Sequence, residues 1–110
     1  MPAASPELLQ GTLDLLVLKT LSLGPMHGWG VSQRILQVSK DALRVNQGSL
    51  YPALFRLADR GWIRAEWGVS DTNRRARFYS ITAAGRRQLV HESSAWDAFT
   101  AAVRLVLAAT

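Results

Sequence analysis

A chain of 110 residues, 48% hydrophobic and 19% charged, has the composition of one small folded domain, ordered beyond its first few residues. The absence of cysteine excludes a disulfide framework, a thiolate metal site and a cysteine nucleophile. The net charge of +5 is matched by one local excess: Arg74, Arg75, Arg77, Arg86 and Arg87 share a stretch without acids, which suits a phosphate-bearing partner or simply a solvated face.

At the N-terminus, "MPAASPELLQ" has no basic leader, and the apolar run after it is short and carries Asp14 and Lys19. Neither a signal peptide nor a membrane span is predicted, and a cytoplasmic protein is expected. Residues 12–23 read as a nearly all-apolar helix stopped by Gly24-Pro25. A second helix is predicted over 28–39, with Trp29, Ile35, Leu36 and Val38 available to the core. In "NQGSLYPALFRLADRGW", Leu50, Leu54 and Leu57 recur with helical period, and Arg60-Gly61 reads as a helix end. Because proline is tolerated only in a first helical turn, this third helix is predicted to begin near Gln47–Ser49 and keep Pro52 within that turn.

Downstream, "WIRAEWG" alternates, with Ile63, Ala65 and Trp67 on one face, and "RARFYSIT" does the same with Arg77, Tyr79 and Ile81. Turn-forming residues between them predict a two-stranded hairpin with a polar tip. Thr82 is the expected N-cap of a last helix running from Ala83 to about Ala109.

Three short helices followed by a basic hairpin is the order of a winged helix-turn-helix. The predicted fold class is therefore mainly α with a small β-hairpin, extended by a long C-terminal helix. In that architecture the third helix meets the DNA major groove with its N-terminal end. With its leucines inward, the helix presents Pro52, Phe55, Arg56 and Asp59, with Ser49 and Tyr51 at the margins. Ser49 and Tyr51 can donate to phosphate or bases, Arg56 can pair with guanine or phosphate, and Pro52 can press on a sugar or a thymine methyl. Arg74, Arg75 and Arg77 would meet the backbone or the minor groove. The competing account of Tyr51-Pro52 is that it only caps and packs the helix.

The stretches "GTLDLLVLKTLSLGPMHGWGV", "GSLYPALFRLADRGWIRAEWG" and "NRRARFYSITAAGRRQL", with the amphipathic helix after them, make the chain resemble the PadR family of bacterial transcriptional regulators in its short form with a single C-terminal helix. The resemblance covers nearly the whole chain after residue 8. It implies a winged-helix repressor, dimeric through terminal helices and often relieved by a small molecule. It also implies that Gln47, Ser49, Tyr51, Pro52 and Arg56 fall on the recognition helix, and Arg74, Arg75 and Arg77 on the wing. One departure is Phe55, where the family often carries a polar residue, commonly histidine.

Other chemistry finds little support in the residues. His27, beside Gly28 at a helix start, reads as a cap or packing residue, and His91 as an exposed one. Two isolated histidines without paired carboxylates at ligand spacing argue against a metal site. Glu66 and Arg64, two apart on one strand face, read as a surface pair. With no Gly-rich phosphate loop and no Ser-His-Asp arrangement, neither a cofactor nor an enzyme is expected.

The last helix would span about 40 Å at 1.5 Å per residue, against a radius of gyration of about 13 Å for a domain of this size. It must project, and Leu89, Trp96, Phe99, Val103 and Val106 lie along it at a/d-like spacings. A two-fold homodimer would cover that seam; folding back on the same subunit is the alternative. A gap between subunits around Trp96 and Phe99 would suit a flat, apolar effector, although Trp96 as plain dimer core is the simpler reading. The expected organisation is a winged helix-turn-helix over 1–81 and a dimerisation helix over 82–110. The expected function is a dimeric, sequence-specific repressor of a palindromic double-stranded DNA operator, with no membrane partner. The alternative is a winged-helix module that sets its arginines on an acidic protein surface.

Overall fold

The computed structural model describes the backbone of residues 6–110 and the side chains of residues 12–110. The expectation for the first few residues lies outside the described ones. Helix α1 spans Pro6–Ser22, strand β1 Met26–His27, helix α2 Gly28–Val38 and helix α3 Gln47–Asp59. Strands β2 (Ile63–Val69) and β3 (Arg75–Ile81) follow, and helix α4 (Ala83–Leu107) ends the fold. The mainly helical winged fold and the long last helix are as expected. Helix α1 begins earlier than its apolar run suggested.

Three helices close on one apolar core. Leu13, Val17, Leu18 and Leu21 of α1 meet Val31 and Ile35 of α2 and a stripe of Leu50, Ala53, Leu54 and Leu57 on α3. That stripe follows the i, i+3, i+4, i+7 spacing of one helical face, which is why the opposite face of α3 is left to solvent. Three residues expected in the core lie outside it: Trp29 and Val38 are exposed, and Leu36 is half-buried off the cluster. The buried side of α2 carries Val31, Ser32 and Ile35, so Trp29 points off that stripe, and Val38 is the last residue of a helix running past the core edge.

Helix ends explain several sequence signals. The Asn46 side chain accepts from the Ser49 N–H at 2.8 Å, fixing the start of α3 at Gln47. Pro52 therefore sits beyond the first turn, a correction to its expected place, and it cannot donate to the Gly48 carbonyl four residues earlier. At the other end Gly61 takes φ +76°, and the Gly61 and Trp62 N–H groups donate to the Ala58 and Leu57 carbonyls. This is a Schellman cap, which only a residue at ease with positive φ closes cheaply.

The sheet has three strands in the order β1-β3-β2, not the two expected. β1 contributes only Met26 and His27, antiparallel to Tyr79 and Phe78. In the hairpin Ile63 faces Ile81, Ala65 faces Tyr79 and Trp67 faces Arg77, as the alternation required. Ile63 and Tyr79 are buried at the base of this face, whereas Trp67 is exposed toward the tip. One sheet face thus runs from hydrophobic core into an open, cationic surface. The tip closes through Ser70 and Asn73, the latter in the left-handed region at φ +59°.

Helix α4 starts where the sheet ends. Thr82 caps it by accepting from the Gly85 N–H at 3.0 Å and donates to the Gly61 carbonyl at 2.7 Å. Helix α4 packs beside α1 and sets Leu89 against this subunit's own core, a correction to its expected place on the dimer seam, and α4 then leaves the domain. Among the described residues no helix is long and apolar enough to cross a membrane.

Candidate nucleic-acid interface

The start of α2, Tyr51 of α3 and the hairpin line a groove of about 860 Å³. Its walls include Trp29 from α2, Tyr51 from α3, and Trp67, Arg74, Arg75 and Arg77 from the wing. Local packing places each of them. Tyr51 lies across the start of α2, where a Cβ on Gly28 would come within 2.8 Å of its hydroxyl, so a side chain there would push the ring from its present seat. His27 caps α2 with Nδ1 accepting from the Gly30 N–H at 3.0 Å. Its ring meets Phe78 edge to face at 5.6 Å, bracing the hairpin against the helices. The expected capping and packing role of His27 is what the structure has, and His91 is exposed.

Tyr51, Pro52 and Phe55 are exposed along α3, and Ser49 is half-buried. Gln47 is exposed at the helix start, its amide 3.5 Å from the Ser32 hydroxyl. Arg56 differs from its expected place. Its guanidinium turns back to α1 and donates to the Asp14 carboxylate at 2.9 Å, with both side chains partly buried. The pair engages the guanidinium within the domain while leaving about a third of the Arg56 side chain open to solvent. Arg64 and Glu66, by contrast, form no ion pair; both are exposed, where pairing gains little.

On the wing, Arg74 is exposed at the tip, and Arg75 and Arg77 lie over the Trp67 indole with guanidinium carbons 4.6 and 5.7 Å from the ring centroid. Sequence reasoning named the arginines but missed Trp29 and Trp67 as groove walls, Asn46 as the α3 cap and Asp14 as the partner of Arg56. An asparagine directly before the helix was a readable signal for the cap. Among the described residues no cluster of three His, Asp or Glu side chains could hold a metal. The seam residues Trp96, Phe99, Val103 and Val106 are all exposed, with the Trp96 and Phe99 rings 6.1 Å apart.

A trihelical core, a helix presented by its N-terminal end and a basic hairpin beside it define a winged helix-turn-helix protein. The sequence profile of the transcriptional regulator PadR-like family matches residues 17–91, and the chain belongs to that family, in a short form with a single long C-terminal helix. It is 32% identical over 91 residues, 83% of this chain and 81% of the relative, to a transcriptional regulator of Mycobacterium tuberculosis. A PadR family transcriptional regulator from Eggerthella lenta superposes with TM-score 0.79 at 26% identity, over 94% of this chain and 88% of that one. A transcriptional regulator from Clostridium thermocellum shares the fold at TM-score 0.82 and 23% identity, over 89% and 95% of the two chains. The protein is thus a regulator of transcription and not an enzyme.

Proposed function

We propose that this regulator is a homodimeric repressor that binds a palindromic DNA operator through α3 and the wing. The observation that carries the reading is one groove that brings Tyr51 of α3 together with three wing arginines, next to an α3 surface on which Gln47, Pro52 and Phe55 are also exposed. In this reading Gln47, Ser49, Tyr51 and Pro52 address the major groove, and Arg74, Arg75 and Arg77 address phosphates or the minor groove. Arg56 contributes by fixing α3 to α1 through Asp14. Residues 1–81 form the reading unit, and 82–110 the helix that pairs two copies through Trp96, Phe99, Val103 and Val106. A flat aromatic effector between the paired helices would shift the spacing of the two recognition helices and release DNA.

Selection of bound duplexes from a random DNA pool tests the reading. Enrichment of a two-fold symmetric sequence is expected, and recovery without sequence preference would favour a protein-binding winged helix instead. Replacing Arg74 and Arg75 together by alanine should weaken binding to all duplexes. The slope of log affinity against log salt should fall by up to about two units, each phosphate contact contributing roughly 0.9. An unchanged slope removes both arginines from the interface.

A further inference from the structure

The wing carries a large aromatic residue that the DNA-binding reading does not require. Trp67 is 60% exposed, and its indole occupies the sheet face shared with both Arg75 and Arg77. The register explains the grouping. Trp67 is directly opposite Arg77, and Arg75 is two residues before Arg77, so the indole reaches one guanidinium across the ladder and the other along the diagonal. Their guanidinium carbons are 5.7 and 4.6 Å from the ring centroid.

Two like charges on one strand face repel each other and, as long flexible side chains, lose considerable rotamer freedom when they are ordered on a ligand. A π-face with its negative quadrupole toward both cations offsets the repulsion and restricts both side chains before any partner arrives. Asp71 lines the same groove and could compete for these guanidiniums, but among the described residues neither arginine is in an ion pair. The other face of the hairpin is anchored separately, by Phe78 packed on Gly68 and against His27. Trp67 is therefore not needed to hold the hairpin to the domain.

We propose that Trp67 is a positioning residue, a π-platform that holds Arg75 and Arg77 as a preformed dicationic pair for the phosphates of one DNA strand. The role rests on the DNA-binding reading above. It acts through the arginines, so its energetic effect vanishes when they are absent.

The test compares Trp67→Phe and Trp67→Leu in the wild-type chain and in an Arg75→Ala, Arg77→Ala background. Duplex affinity is measured as a function of salt, and melting temperature alongside. Trp67→Leu should weaken binding by up to roughly five- to thirtyfold, the scale of two exposed cation–π contacts, while Trp67→Phe retains most of the affinity. In the arginine-less background Trp67→Leu should change nothing further. An equal loss in both backgrounds overturns the proposal, because the indole would then act on DNA or on the hairpin directly. The free protein gives an independent readout: ring-current shifts on the Arg75 and Arg77 side-chain protons, abolished by Trp67→Leu. Absence of those shifts in the wild type overturns the platform alone. A wild type that binds no duplex overturns the DNA-binding reading and the platform's role with it.

Discussion

Gly85 stands where the last helix passes closest to the rest of the domain. A Cβ built there would lie 2.0 Å from the Trp62 carbonyl oxygen and 2.8 Å from Ile81 Cγ1, so the first turn of α4 could not keep its seat. This gives "ITAAG" in the stretch "NRRARFYSITAAGRRQL" a physical meaning: Thr82 caps the helix and Gly85 lets it descend onto the Gly61–Trp62 corner. Gly85→Ala should therefore destabilise the protein by more than about 2 kcal/mol, in the range of overpacking against backbone. Gly61→Ala is the informative contrast. Its φ is +76° with nothing within 4 Å of the added methyl, so only the left-handed backbone cost of about 1 kcal/mol applies. Lys40 occupies the same kind of position after α2, at φ +54°, and Lys40→Gly should stabilise by up to about 1 kcal/mol. Urea denaturation of the three variants checks the order, and a Gly85→Ala loss no larger than that of Gly61→Ala would contradict the close approach.

Between elements, the Asp14–Arg56 pair is the polar tie from α1 to α3, bridging 42 residues of sequence. Its atoms are shielded enough that removing one partner leaves the other poorly solvated, yet exposed enough that the penalty stays modest. Asp14→Asn should cost about 1 kcal/mol of stability. If Arg56 is the brace inferred here, Arg56→Ala should lower thermal stability while leaving the salt slope of DNA binding unchanged. A slope that falls by about one unit would show a phosphate contact instead. The tie also shows what the sequence could and could not display. Apolar period located α3 and grouped the hairpin's faces because Leu50, Leu54, Leu57 and the alternation from Ile63 to Ile81 are local patterns that burial enforces. The partner of Arg56 was invisible because nothing local ties it to Asp14. β1 escaped for a related reason: two residues have no period, and Met26 and His27 become a strand only by pairing with β3 more than fifty positions later. Of the groove's walls, the arginines and Tyr51 were legible, whereas Trp29 read as core because its orientation off the α2 stripe depends on where the neighbouring helix lies.

At the scale of the whole molecule, the described chain measures 57 × 31 × 20 Å with a radius of gyration of 15.2 Å, above the roughly 13 Å of a compact domain this size. The excess is α4, whose twenty-five residues span about 37 Å and whose last third touches little of its own domain. Phe99 is 55% exposed and Val106 74% exposed on that projection, an apolar stripe that is costly to leave in water. A second copy pairing along α4 would bury it and duplicate the reading head for a palindrome. Phe99→Glu should then shift the protein to monomer in sedimentation experiments, and operator affinity should fall far more than affinity for a single half-site. A variant that stays dimeric would move the interface elsewhere. Regulation would follow from the same geometry: Trp96 and Phe99 stand side by side, and a planar ligand that widens the space between paired helices moves both wings at once. Planar aromatic compounds titrated against tryptophan fluorescence and DNA release should act less well on Trp96→Phe than on wild type. If compounds that displace DNA bind the variant equally well, the effector site lies away from Trp96, and the indole is dimer core only.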